Sequence, residues 1–280
     1  MISYPAKIGD VTTRIFTAGT EGRPVMFVHG FGAKADRWKL NMDPIAAAGF
    51  RAYAFDLPGH GFASKSDNAP STVPEYSDFL GKVMDHLEVS NAVLVGTSLG
   101  GAVVASFAAQ HSDRVEALVF VGSMGLVPIG EEIRSRIRAG SANQTLEAMQ
   151  AKFKNIIADQ SKVTVEMVEE EFHTNNSPGA AAALIKVGRY IGEKLDDDVV
   201  GQKIASLNKP TLLVWGDEDK VVPLAFGRAA REILPNSRLC ILEGTSHTPY
   251  YEKFSEFNAA ILDFLSGRTD APKMAGVQFL

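Results

Sequence analysis

Apolar residues in this chain follow two patterns. Short runs rich in β-branched and aromatic residues alternate with longer segments in which apolar positions recur every three or four residues. The first pattern is typical of buried strands and the second of helices that bury one face. Their alternation predicts an α/β fold with a mostly parallel sheet covered by helices on both faces. The strands are predicted at Val25–His29, Arg51–Asp56, Ala92–Gly96, Ala117–Gly122, Thr211–Gly216 and Arg238–Glu243.

Two further strands are predicted near the start of the chain. Ala6–Ile8 and Val11–Ala18 flank Gly9 and Asp10, a pair that is typical of a hairpin turn. The hairpin adds two antiparallel strands at one edge, so we expect a sheet of eight strands.

Two helices outside the middle of the chain have clear signals. Thr72 and Glu75 have the spacing of a capping box, and an apolar stripe follows them. A second stripe precedes Gly267, which we expect to end the last helix. The tail, residues 268–280, shows no period, and we expect an extended or poorly ordered end that docks through Phe279 and Leu280.

The alternation is interrupted between Gly122 and Thr211, where helix-like segments replace strands. A structureless loop of that length is implausible in a compact domain. We therefore predict a helical cap at residues 126–207, inserted into an α/β core made of residues 1–125 and 208–267.

A chemically informative motif follows one of the buried strands. Gly96-Thr97-Ser98-Leu99-Gly100 comes directly after a strand and before a segment that can begin a helix. A serine on such a sharp turn is held with its hydroxyl exposed, and the small flanking residues let neighbouring backbone approach it. This context predicts that Ser98 is a nucleophile.

Five motifs in the chain carry a family resemblance. They are HGFG (29–32), DLPGHG (56–61), GTSLGG (96–101), GDEDKVVP (216–223) and SHTPYYEKF (246–254). In this order and spacing they resemble the α/β-hydrolase family over nearly the whole chain outside the insertion. The resemblance implies the α/β-hydrolase fold and a serine hydrolase.

By this resemblance, Ser98, Asp219 and His247 form a catalytic triad. Their chain order, Ser then Asp then His, is the order used by this fold. His247 would act as the base, and Asp219 would orient it. Asp217 also follows the strand at Thr211–Gly216 and stays open as an alternative acid, although the family spacing favours Asp219.

The resemblance also implies an oxyanion hole, made by the backbone N–H groups of Phe31 and Leu99. We expect substrate selection to reside in the insertion and in nearby loops, because these shape the pocket beyond the carboxyl ends of the strands. The candidate pocket residues are Gly32, Trp38, Met124, Tyr190 and Val222.

Composition and charge narrow the remaining choices. The 28 Lys and Arg residues against 33 Asp and Glu give a net charge of −5 without long blocks of one sign, so nucleic acid is not an expected partner. The start lacks the pattern of a signal peptide and no stretch is apolar enough to span a membrane, so we expect a cytoplasmic protein.

Cys240 is the single cysteine and lies in a predicted strand, which favours a buried thiol. No metal-ligand spacing is present, and we expect neither a metal nor a cofactor. Whether the protein is a monomer or a homodimer stays open.

The leading functional hypothesis is hydrolysis of a small or medium carboxylic ester through an acyl-enzyme on Ser98. A first alternative is a carbon–carbon bond hydrolase acting on ring-cleavage products, with Arg189 as a candidate carboxylate ligand. Enzymes of that class usually have Asn before the nucleophile and Trp after the histidine, whereas this chain has Thr97 and Thr248. A second alternative is a non-catalytic ligand receptor on the same fold.

Overall fold

The computed structural model describes residues 1–267 and 274–280. The described residues form one sheet whose strands are β1 (Ile2–Ile8), β2 (Val11–Ala18), β3 (Arg23–Val28), β4 (Phe50–Phe55), β5 (Ala92–Thr97), β6 (Val115–Val121), β7 (Thr211–Gly216), β8 (Ser237–Leu242) and β9 (Val277–Phe279). The helices are α1 (Lys39–Ala47), α2 (Val73–His86), α3 (Leu99–Gln110), α4 (Gly130–Ser141), α5 (Leu146–Ile156), α6 (Val165–Asn175), α7 (Ala180–Lys194), α8 (Gly201–Leu207), α9 (Leu224–Ile233), α10 (Pro249–Glu252) and α11 (Phe254–Leu265).

The strand order in the sheet is β1-β2-β4-β3-β5-β6-β7-β8-β9. The six strands β3 to β8 are parallel to one another, whereas β1, β2 and β9 pair antiparallel with their neighbours. The mostly parallel α/β sheet is therefore confirmed. Because all parallel strands end at the same edge, the loops after β3, β5, β7 and β8 meet there.

The predicted number of eight strands is wrong, since the described sheet has nine. The extra strand, β9, comes from the tail, where Phe279 pairs with Cys240 and Leu280 exchanges backbone hydrogen bonds of 2.8 and 2.9 Å with Leu239. Phe279 and Leu280 thus dock as predicted, but as part of the sheet. Residues 268–273 of the predicted tail lie outside the described residues.

Two apolar layers hold the helices on the sheet. Side chains alternate along β3, so that Met26 and Val28 face one layer while Val25 and Phe27 face the other. The first layer packs against α2, α3, α8 and α9, and the second packs against α1 and α11. Burying a side chain as large as Phe27 contributes about 1.5–3 kcal/mol.

Local sequence signals explain the start of α2 and the end of α11. The side chain of Thr72 accepts from the backbone N–H of Glu75, whose carboxylate accepts from the N–H of Thr72 in return. This confirms the predicted capping box at α2. The last helix, α11, ends at Leu265, close to the predicted end at Gly267.

Five helices, α4 to α8, lie between β6 and β7 in the chain, where the sequence predicted helical segments. We call this part the insertion. Helices α5 and α6 bury a small apolar cluster of their own, centred on Phe153. Helices α4 and α7 pack on each other, and Ile133 and Val187 join the first apolar layer of the sheet. The boundaries of a separate cap domain stay a prediction.

Two further expectations concern the interior and the surface. Cys240 is fully buried in β8, and burial raises the pKa of its thiol to about 12, which makes it a poor nucleophile. Among the described residues, no helix is both long and apolar enough to cross a membrane.

Candidate active site

Ser98 occupies the sharp turn between β5 and α3. Its backbone has a positive φ of 53°, which is costly for a residue with a side chain. The turn is fixed from both sides, because the N–H of Ser98 donates to Val121 O at 3.1 Å and its carbonyl accepts from Met124 N at 3.1 Å. A Cβ on Gly96 would lie 2.3 Å from the carbonyl oxygen of Gly100, so this close turn requires glycine. The hydroxyl-bearing residue is thus held in a strained, defined position.

Asp219 and His247 follow β7 and β8 and meet beside this turn. His247 Nδ1 lies 2.8 Å from Asp219 Oδ2, and both residues are buried. The other oxygen, Oδ1, accepts the backbone N–H groups of Val221 and Val222 at 2.8 and 2.9 Å. The carboxylate therefore has one fixed orientation. Since it accepts the proton on Nδ1, it leaves Nε2 of His247 free to act as a base.

The alternative acid, Asp217, has a different position. Its side chain is exposed, and Oδ1 accepts the backbone N–H of Gly244 at 2.7 Å. This bond joins the turns that follow β7 and β8. Asp217 thus braces the loop before His247, whereas Asp219 contacts the imidazole.

The two candidate oxyanion donors lie on either side of Ser98. Leu99 is the first residue of α3, where backbone N–H groups have no partner within the helix. Phe31 lies in the loop after β3, next to Gly30, where a Cβ would lie 2.9 Å from the Cβ of Ser98. The loop therefore approaches the serine as closely as the backbone allows.

A cavity of about 570 Å³ opens above these residues. Ser98, His247 and Phe31 line it, together with residues of α4, α5 and α7 from the insertion. Two of the predicted pocket residues, Gly32 and Met124, also line it. A serine, a histidine oriented by a carboxylate and a substrate-sized space are the components that acyl transfer requires.

The chain matches the model of the alpha/beta hydrolase family over residues 25–260. The protein belongs to the alpha/beta hydrolase family. It is an enzyme of the hydrolase class, as its relatives and structural neighbours indicate.

Three similar proteins illustrate the range of the family. This hydrolase is 31% identical over 274 residues to 2-hydroxy-6-oxo-6-(2'-aminophenyl)hexa-2,4-dienoic acid hydrolase of Metapseudomonas resinovorans. The alignment covers 95% of this chain and 92% of that protein. It is 29% identical over 264 residues to the dihydrolipoyllysine-residue acetyltransferase component of the acetoin cleaving system of Cupriavidus necator. That alignment covers 94% of this chain and 68% of that protein. A solved structure, the meta-cleavage product hydrolase from Pseudomonas fluorescens IP01, matches with a TM-score of 0.83 at 25% identity over 94% of this chain and 97% of that one.

Three predicted pocket residues of the hydrolase are not among those that line the cavity. Trp38 is fully buried against Tyr250 and other rings of the second apolar layer. Tyr190 is directed to Asp198, to which its hydroxyl donates a hydrogen bond. Val222 lies behind the cavity, because its backbone N–H binds Asp219 and its carbonyl accepts the indole N–H of Trp215.

Two histidines of the hydrolase brace the loops near Phe31. The N–H of Leu57 donates to His29 Nε2 at 2.9 Å, so the ring proton lies on Nδ1 and is donated to Gly30 O at 2.8 Å. Burial lowers the pKa of His29 to about 4 and that of His60 to about 3. Both rings are therefore neutral at pH 7.

The loop that carries His247 is hydrogen-bonded directly to the insertion. Ser246 Oγ donates to Asn155 O at 2.7 Å, and Thr248 Oγ1 donates to Ile156 O at 3.0 Å. These two residues flank His247. The end of α5 and the loop that carries His247 are thus connected through short hydrogen bonds.

Glu252, which the sequence did not single out, strengthens this connection. Its Oε1 accepts the N–H of Ser246 at 2.8 Å, and its Oε2 accepts those of Ala158 and Asp159 at 2.6 and 3.2 Å. Burial raises the pKa of Glu252 above its ordinary value. Its place in the SHTPYYEKF motif is the signal that could have marked it.

A buried ion cluster in the cavity wall was also missed. Arg37 and Lys152 both bind the buried carboxylate of Glu171, and Lys152 Nζ donates to Gly32 O at 2.8 Å. Arg37 comes from the loop after β3, whereas Lys152 and Glu171 come from α5 and α6. No local pattern links three residues so far apart in the chain.

Arg189, the candidate carboxylate ligand, lies elsewhere. Its side chain is exposed on α7, and it is not among the residues that line the cavity.

Proposed function

We propose that this alpha/beta hydrolase cleaves carboxylic esters through an acyl-enzyme on Ser98. The observation that carries the proposal is the 2.8 Å contact between His247 Nδ1 and Asp219 Oδ2, in the cavity wall that also contains Ser98. A histidine fixed in one tautomer beside a strained serine is the arrangement that makes a hydroxyl nucleophilic at neutral pH.

The reaction follows from this geometry. His247 Nε2 takes the proton of Ser98 as Oγ attacks the ester carbonyl, and the negative charge on the carbonyl oxygen is stabilised by the N–H groups of Phe31 and Leu99. The C–O bond to the alcohol then breaks, and the imidazolium returns its proton to the leaving alcohol. Water, deprotonated by the same histidine, hydrolyses the acyl-enzyme and releases the acid.

A second candidate function is hydrolysis of a carbon–carbon bond. It is favoured by the similarity to enzymes named for such reactions, among them the dienoic acid hydrolase that is 31% identical to this chain. Thr97 and Thr248, at positions where that class usually has Asn and Trp, favour the ester. The exposed Arg189 also offers no carboxylate ligand to the cavity.

Initial rates on p-nitrophenyl esters from acetate to palmitate test the proposal, with Ser98→Ala as the control. We expect turnover with an optimum at one chain length and a loss of at least about 10³-fold in the variant, because the nucleophile is essential. A fluorophosphonate probe labels the wild-type protein and not Ser98→Ala if this serine is the nucleophile.

The alternatives give different results in the same assays. A protein that the probe labels, but that turns over a ring-cleavage dienoate and no ester, supports the second candidate. Equal labelling of both proteins overturns the assignment of Ser98. A protein that is neither labelled nor active on either substrate class is a ligand receptor.

A further inference from the structure

The cavity wall is electrically one-sided. Four cationic residues line it, namely Arg37, Arg136, Lys152 and Lys220. Within the described part of the chain, no Asp or Glu is among the lining residues. The whole chain has an excess of acidic residues, so this accumulation of positive charge is not a property of the overall composition.

The two inner cations share one carboxylate. Arg37 and Lys152 bind opposite oxygens of Glu171, which is buried behind the wall and does not line the cavity. Burial alone would raise the pKa of Glu171, but the two cations outweigh it and hold that pKa below its ordinary value. One negative charge faces two positive ones, so the cluster has a net positive charge on its cavity side.

Neither inner cation is saturated by the hydrogen bonds of the cluster. A guanidinium has five N–H donors and an ammonium has three, whereas Lys152 uses two on Glu171 and Gly32 O and Arg37 uses one on Glu171. Because the two cations share the single carboxylate of Glu171, a second anion would neutralise the positive charge that remains. Both side chains are among the residues that line the cavity with Ser98 and His247.

The position of Lys152 locates the anion relative to the reaction. Its ammonium binds the carbonyl of Gly32, the residue after the candidate oxyanion donor Phe31. A group bound there lies close to the candidate oxyanion donor Phe31, beside the residues of α5 that line the cavity. The net charge of about one matches a single carboxylate, and the planar guanidinium of Arg37 has the geometry to bind one.

The outer cations extend the positive surface to the entrance. Arg136 and Lys220 are both exposed, and Arg136 donates to the carbonyl of Lys220 across the cavity rim at 3.2 Å. Charges at such a rim raise the rate at which oppositely charged ligands arrive, and salt screens this effect over about 8–10 Å.

We infer that the cavity selects substrates whose acyl group carries a second, ionised carboxylate, bound by Arg37 and Lys152. The inference rests on the proposed function for the ester bond, and it adds the substrate class. The products would be a dicarboxylate and an alcohol.

A pair of substrates that differ by one methyl group tests the selection. Monobenzyl glutarate has a free carboxylate, and benzyl methyl glutarate masks it, while both release benzyl alcohol. We expect kcat/KM for the monoester to exceed that for the benzyl ester bond of the diester by about 10- to 100-fold, the range of hydrogen bonds to a charged group. The preference should decrease as ionic strength rises.

Variants connect the preference to the cluster. Lys152→Gln should bring the ratio of the two kcat/KM values down at least about tenfold, whereas Lys152→Arg keeps the charge and most of the ratio. Arg189→Gln removes an exposed cation outside the cavity and leaves both rates unchanged. A ratio near one in the wild-type protein, or an unchanged ratio in a folded Lys152→Gln protein, overturns the inference.

Binding to an inactive protein separates this inference from the proposed function. Calorimetry with Ser98→Ala should detect binding of glutarate and no binding of dimethyl glutarate. The Ser98→Ala, Lys152→Gln double variant should lose the affinity for glutarate. Glutarate binding without any ester turnover in the wild-type protein rejects the esterase and keeps the anion site. Turnover of neutral esters without glutarate binding rejects the anion site and keeps the esterase.

Discussion

The contact between Asp219 and His247 depends on a neighbouring residue without a side chain. Gly122 follows β6 with a φ of +49°, and a Cβ there would lie 3.0 Å from both Asp219 Oδ2 and His247 Nδ1. A side chain at this position would push the two groups apart. The contact between Asp219 and His247 therefore requires glycine at position 122.

Gly122→Ala should lower kcat about 10²-fold with a smaller effect on KM, because displacements near 1 Å in catalytic groups have effects of that size. Steady-state kinetics on the best ester measure it. Gly9→Ala is the matched control, since Gly9 has a φ of +58° and no atom within 4 Å of the added Cβ. Equal losses of activity in both variants would assign the effect to backbone strain of about 1–2 kcal/mol and not to the contact.

Sequence spacing predicts residues that lie in one motif and misses those that meet only in three dimensions. The spacing before Val222 selected Asp219 over Asp217, and the structure places Asp219 against His247. By contrast, Trp38 was expected in the pocket because it is close in sequence to the HGFG motif. Its side chain is fully buried in the second apolar layer, against the ring of Tyr250. A local motif indicates where a residue lies in the chain, but not the direction in which its side chain points.

At the scale of elements, the short helix α10 connects the loop that carries His247 to the insertion. It carries Glu252, whose carboxylate accepts backbone N–H groups from the loop before it and from the segment after α5. A single buried carboxylate thus satisfies donors from two parts of the chain that are almost one hundred residues apart. Few other side chains could do so, because only a carboxylate offers this many acceptor sites on two oxygens.

Glu252→Ala should destabilise the protein by about 1–3 kcal/mol per buried N–H left without a partner, and it should also lower kcat because the loop holding His247 loosens. Urea denaturation and ester kinetics measure the two effects. Glu243→Ala, which removes an exposed carboxylate from the same region, is the control. Wild-type stability in Glu252→Ala would show that water replaces the carboxylate without loss.

The elements were predicted best where burial forces a simple pattern. The central strands are apolar throughout because they are covered on both faces, and the capping box at Thr72 is a local signal. The ninth strand could not be predicted in this way, since Val277–Phe279 is three residues long and only its pairing with β8 defines it. The last helix of the insertion begins at Gly201, after a 3-10 turn that ends at Asp198, whose carboxylate accepts a hydrogen bond from Tyr190.

At the scale of the whole molecule, two buried neutral histidines connect stability to pH. His29 and His60 have pKa values lowered to about 4 and about 3, whereas the unfolded chain binds these protons at about 6.5. Between pH 6.5 and 4 the unfolded state therefore holds more protons than the folded state. Stability decreases as pH falls through this range, and above pH 6.5 neither group affects it.

Between pH 6 and 4.5, each histidine should contribute a slope of roughly 1.4 kcal/mol per pH unit at most. We expect His60→Phe, which keeps a ring among Phe31 and Tyr76, to reduce the slope of unfolding free energy between pH 4.5 and 6 by that amount. Urea titrations at several pH values measure it, and the difference between the two proteins cancels the carboxylates that also titrate there. Parallel curves for both proteins would refute the neutral buried state of His60.

The hydrogen bonds between the insertion and the loop of the base limit how this enzyme can be recombined. A chimera that receives the insertion of a relative must supply carbonyls in place of those of Asn155 and Ile156, and amides in place of those of Ala158 and Asp159. Without them, the loop that carries His247 would lose its hydrogen bonds to the insertion. Exchanging substrate preference within the family therefore requires transplanting the segment around α10 together with the insertion, as one unit.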